Sequence, residues 1–83
     1  MICRTSIFIE LQEGVLDIQG KAVERSLASL GHDTVRWAKV GKYIQLRLEC
    51  ESPEAARKEA ERMCDDLLVN NVIEQFRIEV EGE

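Results

Sequence analysis

Four side chains in this sequence are suited to covalent or metal chemistry: Cys3, Cys50, Cys64 and the single histidine, His32. A thiol nucleophile needs a base beside it, and a structural zinc needs about four clustered ligands. The three cysteines are widely spaced and form no CxxC pair. Their alternation places them inward, as small buried hydrophobes. His32 falls in a turn between a helix and a strand, where it faces solvent. The 16 Asp and Glu residues are numerous, but they fall on polar faces and show no pairing of the glycosidase kind. Neither GxGxxG nor GxxxxGK[ST] occurs, so no phosphate-cradling loop is present. These residue types and spacings favour a binding or structural module over a self-sufficient enzyme. No catalytic residue, metal site or cofactor site is expected in the chain.

Eighty-three residues make one domain, 1–83. A chain of this size buries only about 60% of its unfolded surface, so its core is thin and burial against a partner would help it. The net charge is −5 with acidic and basic residues interspersed. That argues against nucleic acid, which calls for a basic face, and against an anionic membrane surface. No apolar run approaches the roughly 20 residues of a membrane span. The N-terminus leads straight into a strand without a signal-peptide layout. With an odd number of unclustered cysteines, a reducing cytosol is expected, and hence a cytoplasmic protein.

Periodicity sets the elements. Residues 3–11 alternate, with Cys3, Thr5, Ile7, Ile9 and Leu11 on one side and Arg4, Ser6, Phe8 and Glu10 on the other. After a loop containing Gly14, Asp17 is placed to cap a helix that carries Val23, Leu27 and Leu30 and stops at Gly31. Residues 34–40 read as a second strand. Its phase slips, since Val35 and Trp37 alternate against Ala38 and Val40, so either a bulge sits near Trp37 or Trp37 points away from the core. Gly41-Lys42 reads as a tight hairpin into a third strand, Tyr43 to Cys50, with Ile44, Leu46, Leu48 and Cys50 inward. Ser52-Pro53-Glu54 starts a second helix with a cap, a first-turn proline and a charge that suits the dipole. Its stripe is Ala56, Ala60, Met63, Cys64, Leu67 and Leu68. Two asparagines then lead to a fourth strand with Val72, Phe76, Ile78 and Val80 on one face.

The order β-α-β-β-α-β, joined by right-handed crossovers, predicts an α+β ferredoxin-like sandwich. Its four-stranded antiparallel sheet has spatial order 4-1-3-2, and both helices cover one face. The other face stays open and collects Phe8, Tyr43 and Trp37 among charged residues, an arrangement typical of an interface. A homodimer or higher even oligomer is therefore expected, through that face or through a strand edge.

Three stretches carry a family resemblance. Val15-Leu16-Asp17-Ile18-Gln19-Gly20 resembles a V-x-D-P-x-G motif, with Ile18 where the family has proline. Val40-Gly41-Lys42-Tyr43-Ile44-Gln45-Leu46 resembles an I-G-K-x-x-x-L hairpin, and Cys64 to Val80 is similar to a C-x-x-L-L-x-N-x-V-I-E-x-Y/F-x-x-x-V ending. Together, in this order, they resemble the PurS family, the small subunit of phosphoribosylformylglycinamidine synthase in purine biosynthesis.

The resemblance implies a PurS-like fold and a non-catalytic subunit of a glutamine-dependent ligase. In such an enzyme an ATP- and Mg-dependent synthetase subunit (PurL) uses ammonia released by a glutaminase subunit (PurQ), and PurS lets the two assemble. The implied partners are PurL, PurQ and a second PurS chain. Asp17, Gly20, Gly41 and Lys42, on the two loop motifs, join Phe8, Trp37 and Tyr43 as interface candidates. Lys42 adds a charge that could steer an acidic partner. A ferredoxin-like regulatory module that binds a small molecule at a subunit interface is the alternative reading.

Overall fold

Alternation of apolar and polar residues produces the central strand. Cys3, Thr5, Ile7 and Ile9 are buried and Arg4 and Glu10 are exposed, and β1 spans Ile2–Leu11 in the computed structural model, which describes residues Met1–Glu83. The other elements are α1 (Ile18–Ser29), β2 (Lys42–Glu49), α2 (Pro53–Met63) and β3 (Glu74–Gly82). β1 pairs antiparallel with both other strands, in the order β2-β1-β3. Ile7 lies opposite Ile44 on one side and Ile78 on the other; Phe8 lies opposite Tyr43 and Arg77. The register keeps all apolar alternates on one face, as the period of two requires.

α2 covers half of that face. Its start is the expected one: Ser52 Oγ accepts from the Ala55 amide at 3.1 Å, Pro53 opens the first turn and Glu54 follows. Ala56 and Ala60, being small, let the helix sit close to the sheet. Ile7, Ile9, Ala60, Cys64, Val69 and Ile78 form the buried cluster, with Ile44, Leu46, Leu68, Phe76 and Val80 packed around it.

The end of this helix departs from the expected stripe. Residues Cys64–Leu68 make one wide turn in which the Val69 amide reaches the Cys64 carbonyl at 3.0 Å, five residues back. The extra residue rotates the helix phase. Val69 takes the core position expected of Leu67, which is 83% exposed. Val72, expected in the last strand, lies in the turn before it and is 82% exposed.

Two larger corrections concern the first half of the chain. The sheet has three strands, not four, because residues 34–40 pair with nothing in this chain and Gly41-Lys42 is not a hairpin. Neither are both helices on the sheet. The substantial packing between elements is among the strands, α2 and the wide turn, and Gly20 is the only buried residue of α1. The chain extends 50 × 28 × 15 Å with a radius of gyration of 16.2 Å, where a compact chain of this length would have about 12 Å. α1 and the segment after it stand away from the sheet. No helix is long and apolar enough to cross a membrane.

Candidate functional site

The projecting unit begins with a cap. Asp17 precedes α1 and its Oδ1 accepts from the Gly20 amide at 2.8 Å. Its Oδ2 accepts from the Val40 amide at 2.9 Å, far along the chain. Two residues earlier, the Ala38 amide donates to Glu24 Oε2 at 3.0 Å. One helix thus holds residues 38–40 alongside it through two carboxylates. Gly20 lets the backbones meet: a Cβ there would lie 2.5 Å from the Ala38 carbonyl oxygen and would strike the Asp17 carboxylate. This close approach is what the Asp17-to-Gly20 motif specifies. α1 ends at Gly31, whose φ is +94°, with the His32 amide returning to the Leu27 carbonyl at 3.0 Å.

Alternate amides of an extended segment point to opposite sides. Ala38 and Val40 face α1. The amides of Trp37 and Lys39, facing the other way, have no hydrogen-bond partner in the chain, and no backbone carbonyl from Val35 to Gly41 has one. These unpartnered groups leave an open backbone edge, of the kind that a strand of another chain pairs with readily. Next to it runs a largely uncovered apolar stripe, Val23, Leu27 and Leu30, with Leu27 half-buried, Val23 exposed, Leu30 75% exposed, and Ile18 and Leu16 exposed at its start. On the sheet, the half of the apolar face not under α2 carries Ile44, Leu46 and Phe76, which are only partly buried. A helix without a sheet and a sheet without its second helix occur in one chain.

Two joints connect the unit to the sheet. Gln12 anchors the first: its amide donates to the Ile73 carbonyl at 2.8 Å and its Nε2 to the Asn71 and Glu74 carbonyls, both at 2.9 Å. Gly14 turns there with φ +87°. Gly41 makes the second, pressed so close to the Ile9 carbonyl that a Cβ would collide with it. Lys39 also pairs with Glu10 at 3.5 Å. Glu10 is held below the usual carboxylate range, first by the Gln75 amide group and then by Lys39.

The remaining expected site residues divide into two groups. Phe8 and Tyr43 do share the open face, stacked at 5.0 Å between ring centroids, with the Arg77 guanidinium 4.3 Å above the Phe8 ring. Trp37 does not join them. It sits 69% exposed on the projecting unit, across an open groove of about 640 Å³ whose other walls include Phe8 and Arg77. Lys42 is already engaged: its Nζ lies 3.2 Å from Glu74, which also accepts from the Asn70 amide at 2.8 Å. Those contacts, the Asn70 amide first, lower the Glu74 pKa. Lys42 therefore joins β2 to β3 as well as facing solvent. Glu24 and Glu74 carry no sequence signal, because their partners are backbone amides brought near only by the fold.

The Asp17 carboxyl is lowered from its ordinary 3.8 by the Gly20 amide first and the Val40 amide second. A lowered carboxylate pKa stabilises the folded arrangement above the ordinary value, and that stabilisation is lost as pH falls through the lower one. Trp37, the single tryptophan, reports the position of the segment. Its emission is expected to hold from neutral pH to roughly pH 4 and to change below that. Asp17→Asn should show the altered emission already at pH 7. A transition centred above pH 5 would contradict this assignment.

Comparisons with known proteins agree with this architecture. The family described as "PurS: Phosphoribosylformylglycinamidine (FGAM) synthase" matches residues 4–82. The phosphoribosylformylglycinamidine synthase subunit PurS of Synechocystis is 42% identical over 78 residues, covering 94% of this chain and 76% of that protein. Crystalline PurS of Methanocaldococcus jannaschii, described as one of the subunits of formylglycinamide ribonucleotide amidotransferase in the purine biosynthetic pathway, superposes with a TM-score of 0.91 at 33% identity, covering 98% of both chains. A chain of PurLQS from Thermotoga maritima superposes with a TM-score of 0.90 at 28% identity, covering 98% of this chain and 99% of that one.

Proposed function

This chain belongs to the PurS family, and we propose that it serves as the small, non-catalytic subunit of a phosphoribosylformylglycinamidine synthase, holding synthetase and glutaminase subunits together in the cytoplasm. The observation that carries the assembly role is the projecting unit, an apolar helix and an open strand edge with no cover in their own chain. We infer that a second copy covers both. α1 of each chain lies on the bare half of the other's apolar face, and residues 35–41 pair with the free edge of the other's β2. Each half of the dimer then has four strands and two helices, the ferredoxin-like sandwich that the sequence pattern describes. Exchange of identical elements is an economical route to a twofold dimer.

In the assembly, ATP and Mg act on the synthetase subunit. This chain contributes geometry, since ammonia that leaves one site must reach the other without escaping to water. The relatives above are all synthase subunits and give the regulatory-module reading no support.

Reconstitution tests the role. Synthetase and glutaminase subunits are mixed with and without this chain, and amidine formation is followed with glutamine or with ammonium as nitrogen source. Glutamine-dependent turnover is expected to require this chain, whereas ammonium-dependent turnover by the synthetase is not. Equal glutamine-dependent turnover in both mixtures would overturn the role. Dependence of the ammonium reaction on this chain would assign it to the synthetase site instead.

A further inference from the structure

The thiols of Cys3 and Cys50 lie 3.0 Å apart, although 47 positions separate them in the chain. β1 and β2 create this proximity. Their ladder pairs Ile2 with Glu49 and Cys3 with Leu48, and extends to Met1 and Cys50 through two 2.9 Å hydrogen bonds. Cys3 and Cys50 therefore stand diagonally on the same face, at the end of the sheet away from Gly41. Cys3 is fully buried and Cys50 is half-buried. Cys50 lines an open groove of about 380 Å³ between the end of β2 and α2, with Glu59 and Arg62 in its wall. The third thiol, Cys64, is buried in the core cluster beside Ala60 and Val69.

We propose that Cys3 and Cys50 form a reversible thiol-disulfide site whose co-substrate is a small disulfide such as oxidised glutathione. The Cys50 thiolate, reached through the groove, attacks one sulfur of the small disulfide. One glutathione leaves as the thiol and the other stays bonded to Cys50. The Cys3 thiol then loses its proton to solvent and attacks the Cys50 sulfur, expelling the second glutathione, whose thiolate takes up a proton. Two protein thiols have been oxidised to one disulfide and one glutathione disulfide reduced to two thiols. The direction of attack follows from access. Cys50 meets solvent and Cys3 does not. The Cys3 thiol is also disfavoured as a first nucleophile, since its hydrogen bond with Cys50 and its burial both raise its pKa. Bridging ties the start of β1 to the entry of α2 and leaves both joints of the projecting unit free.

The full chain, fully reduced, is incubated in glutathione buffers of graded oxidised-to-reduced ratio, quenched with an alkylating reagent in denaturant so that every remaining thiol is reached, and analysed by intact mass and non-reducing peptide mapping. The expected product has lost two hydrogens, carries one alkyl group at Cys64, and contains a Cys3–Cys50 bond. Closing so long a loop should raise Tm on the order of 10 °C, reversibly with a dithiol reductant. Cys3→Ala should trap glutathione on Cys50. Cys50→Ser, at a half-buried position, should stop modification in the folded chain altogether. A bond to Cys64, a disulfide between chains, or a stable glutathione adduct on the native sequence would overturn the proposal. So would three alkylatable thiols across the whole buffer series.

Discussion

Leu27→Asp is expected to reduce the sedimenting mass from two chains to one at micromolar concentration, with almost no change in the far-ultraviolet spectrum. In the isolated chain Leu27 is half-buried on a stripe whose Val23 and Leu30 are exposed, so an aspartate there costs about 1 kcal/mol in lost burial and helix propensity. In the proposed exchanged dimer the same position would lie on the apolar face of the other sheet, on the half that carries Ile44, Leu46 and Phe76. An uncompensated carboxylate there costs about 3–5 kcal/mol. The exchange places two such sites in each dimer, so the loss is counted twice. The dissociation constant should rise at least ten-thousandfold, which about 6 kcal/mol corresponds to. Phe8→Glu makes the complementary measurement. Phe8 is on the opposite face, stacked on Tyr43, and its substitution should leave the dimer intact. A dimeric Leu27→Asp together with a monomeric Phe8→Glu would move the interface to the open face.

Gly20→Ala pits two effects of known size against each other. Alanine in a helix is favoured over glycine by about 1 kcal/mol, so on propensity alone the variant should be more stable. Against that, the new methyl group would lie 2.5 Å from the Ala38 carbonyl oxygen and against the Asp17 carboxylate. Overpacking of this kind costs about 1–3 kcal/mol, and loss of the cap about 1 kcal/mol more. The packing terms win by roughly 1–3 kcal/mol. Because they act between α1 and residues 38–40, the expected signature is specific. Trp37 emission should shift to that of Asp17→Asn, and dimer affinity should fall tenfold or more, while the sheet and α2 keep their hydrogen-exchange protection. A dimer of unchanged affinity would show that residues 38–40 need not be fixed for assembly.

Much of the architecture is legible where the interactions are local. The alternation through Cys3, Thr5, Ile7 and Ile9, the Ser52-Pro53-Glu54 start and the Asp17 cap each encode their structure within a few residues. The rest depends on distant groups. Residues 34–40 carry a strand pattern, but no strand of their own chain lies beside them. Pattern alone says that a segment suits a sheet, not whose sheet it joins. Similarly, Val23, Leu27 and Leu30 mark an apolar face without marking its cover. The phase change that exposes Leu67 and buries Val69 comes from one extra residue in the turn after Met63, which no local residue pattern announces. Among the expected site residues, Asp17, Gly20 and Gly41 act as close-contact points, Phe8 and Tyr43 gather on one face, and Trp37 lies apart from them.

The two joints at Gln12–Val15 and Gly41 have a consequence for which sheet α1 covers. A helix on a loose tether meets its own sheet at a millimolar effective concentration, which few second chains in dilute solution can match. A tether that cannot span the return path gives an effective concentration near zero. Here Gln12 is fastened by three hydrogen bonds, Gly14 turns the chain outward and Gly41 is pressed against the Ile9 carbonyl. If the exchanged pair forms as proposed, stiffness at these few residues, rather than the strength of any contact on α1, would decide between it and a self-closed chain. Slack at both joints would move the balance toward self-closure at little entropic cost, since each doubling of loop length costs only about 0.6 kcal/mol. In the proposed exchanged pair, subunit number would thus be a property of loop length, adjustable without altering a single interface residue.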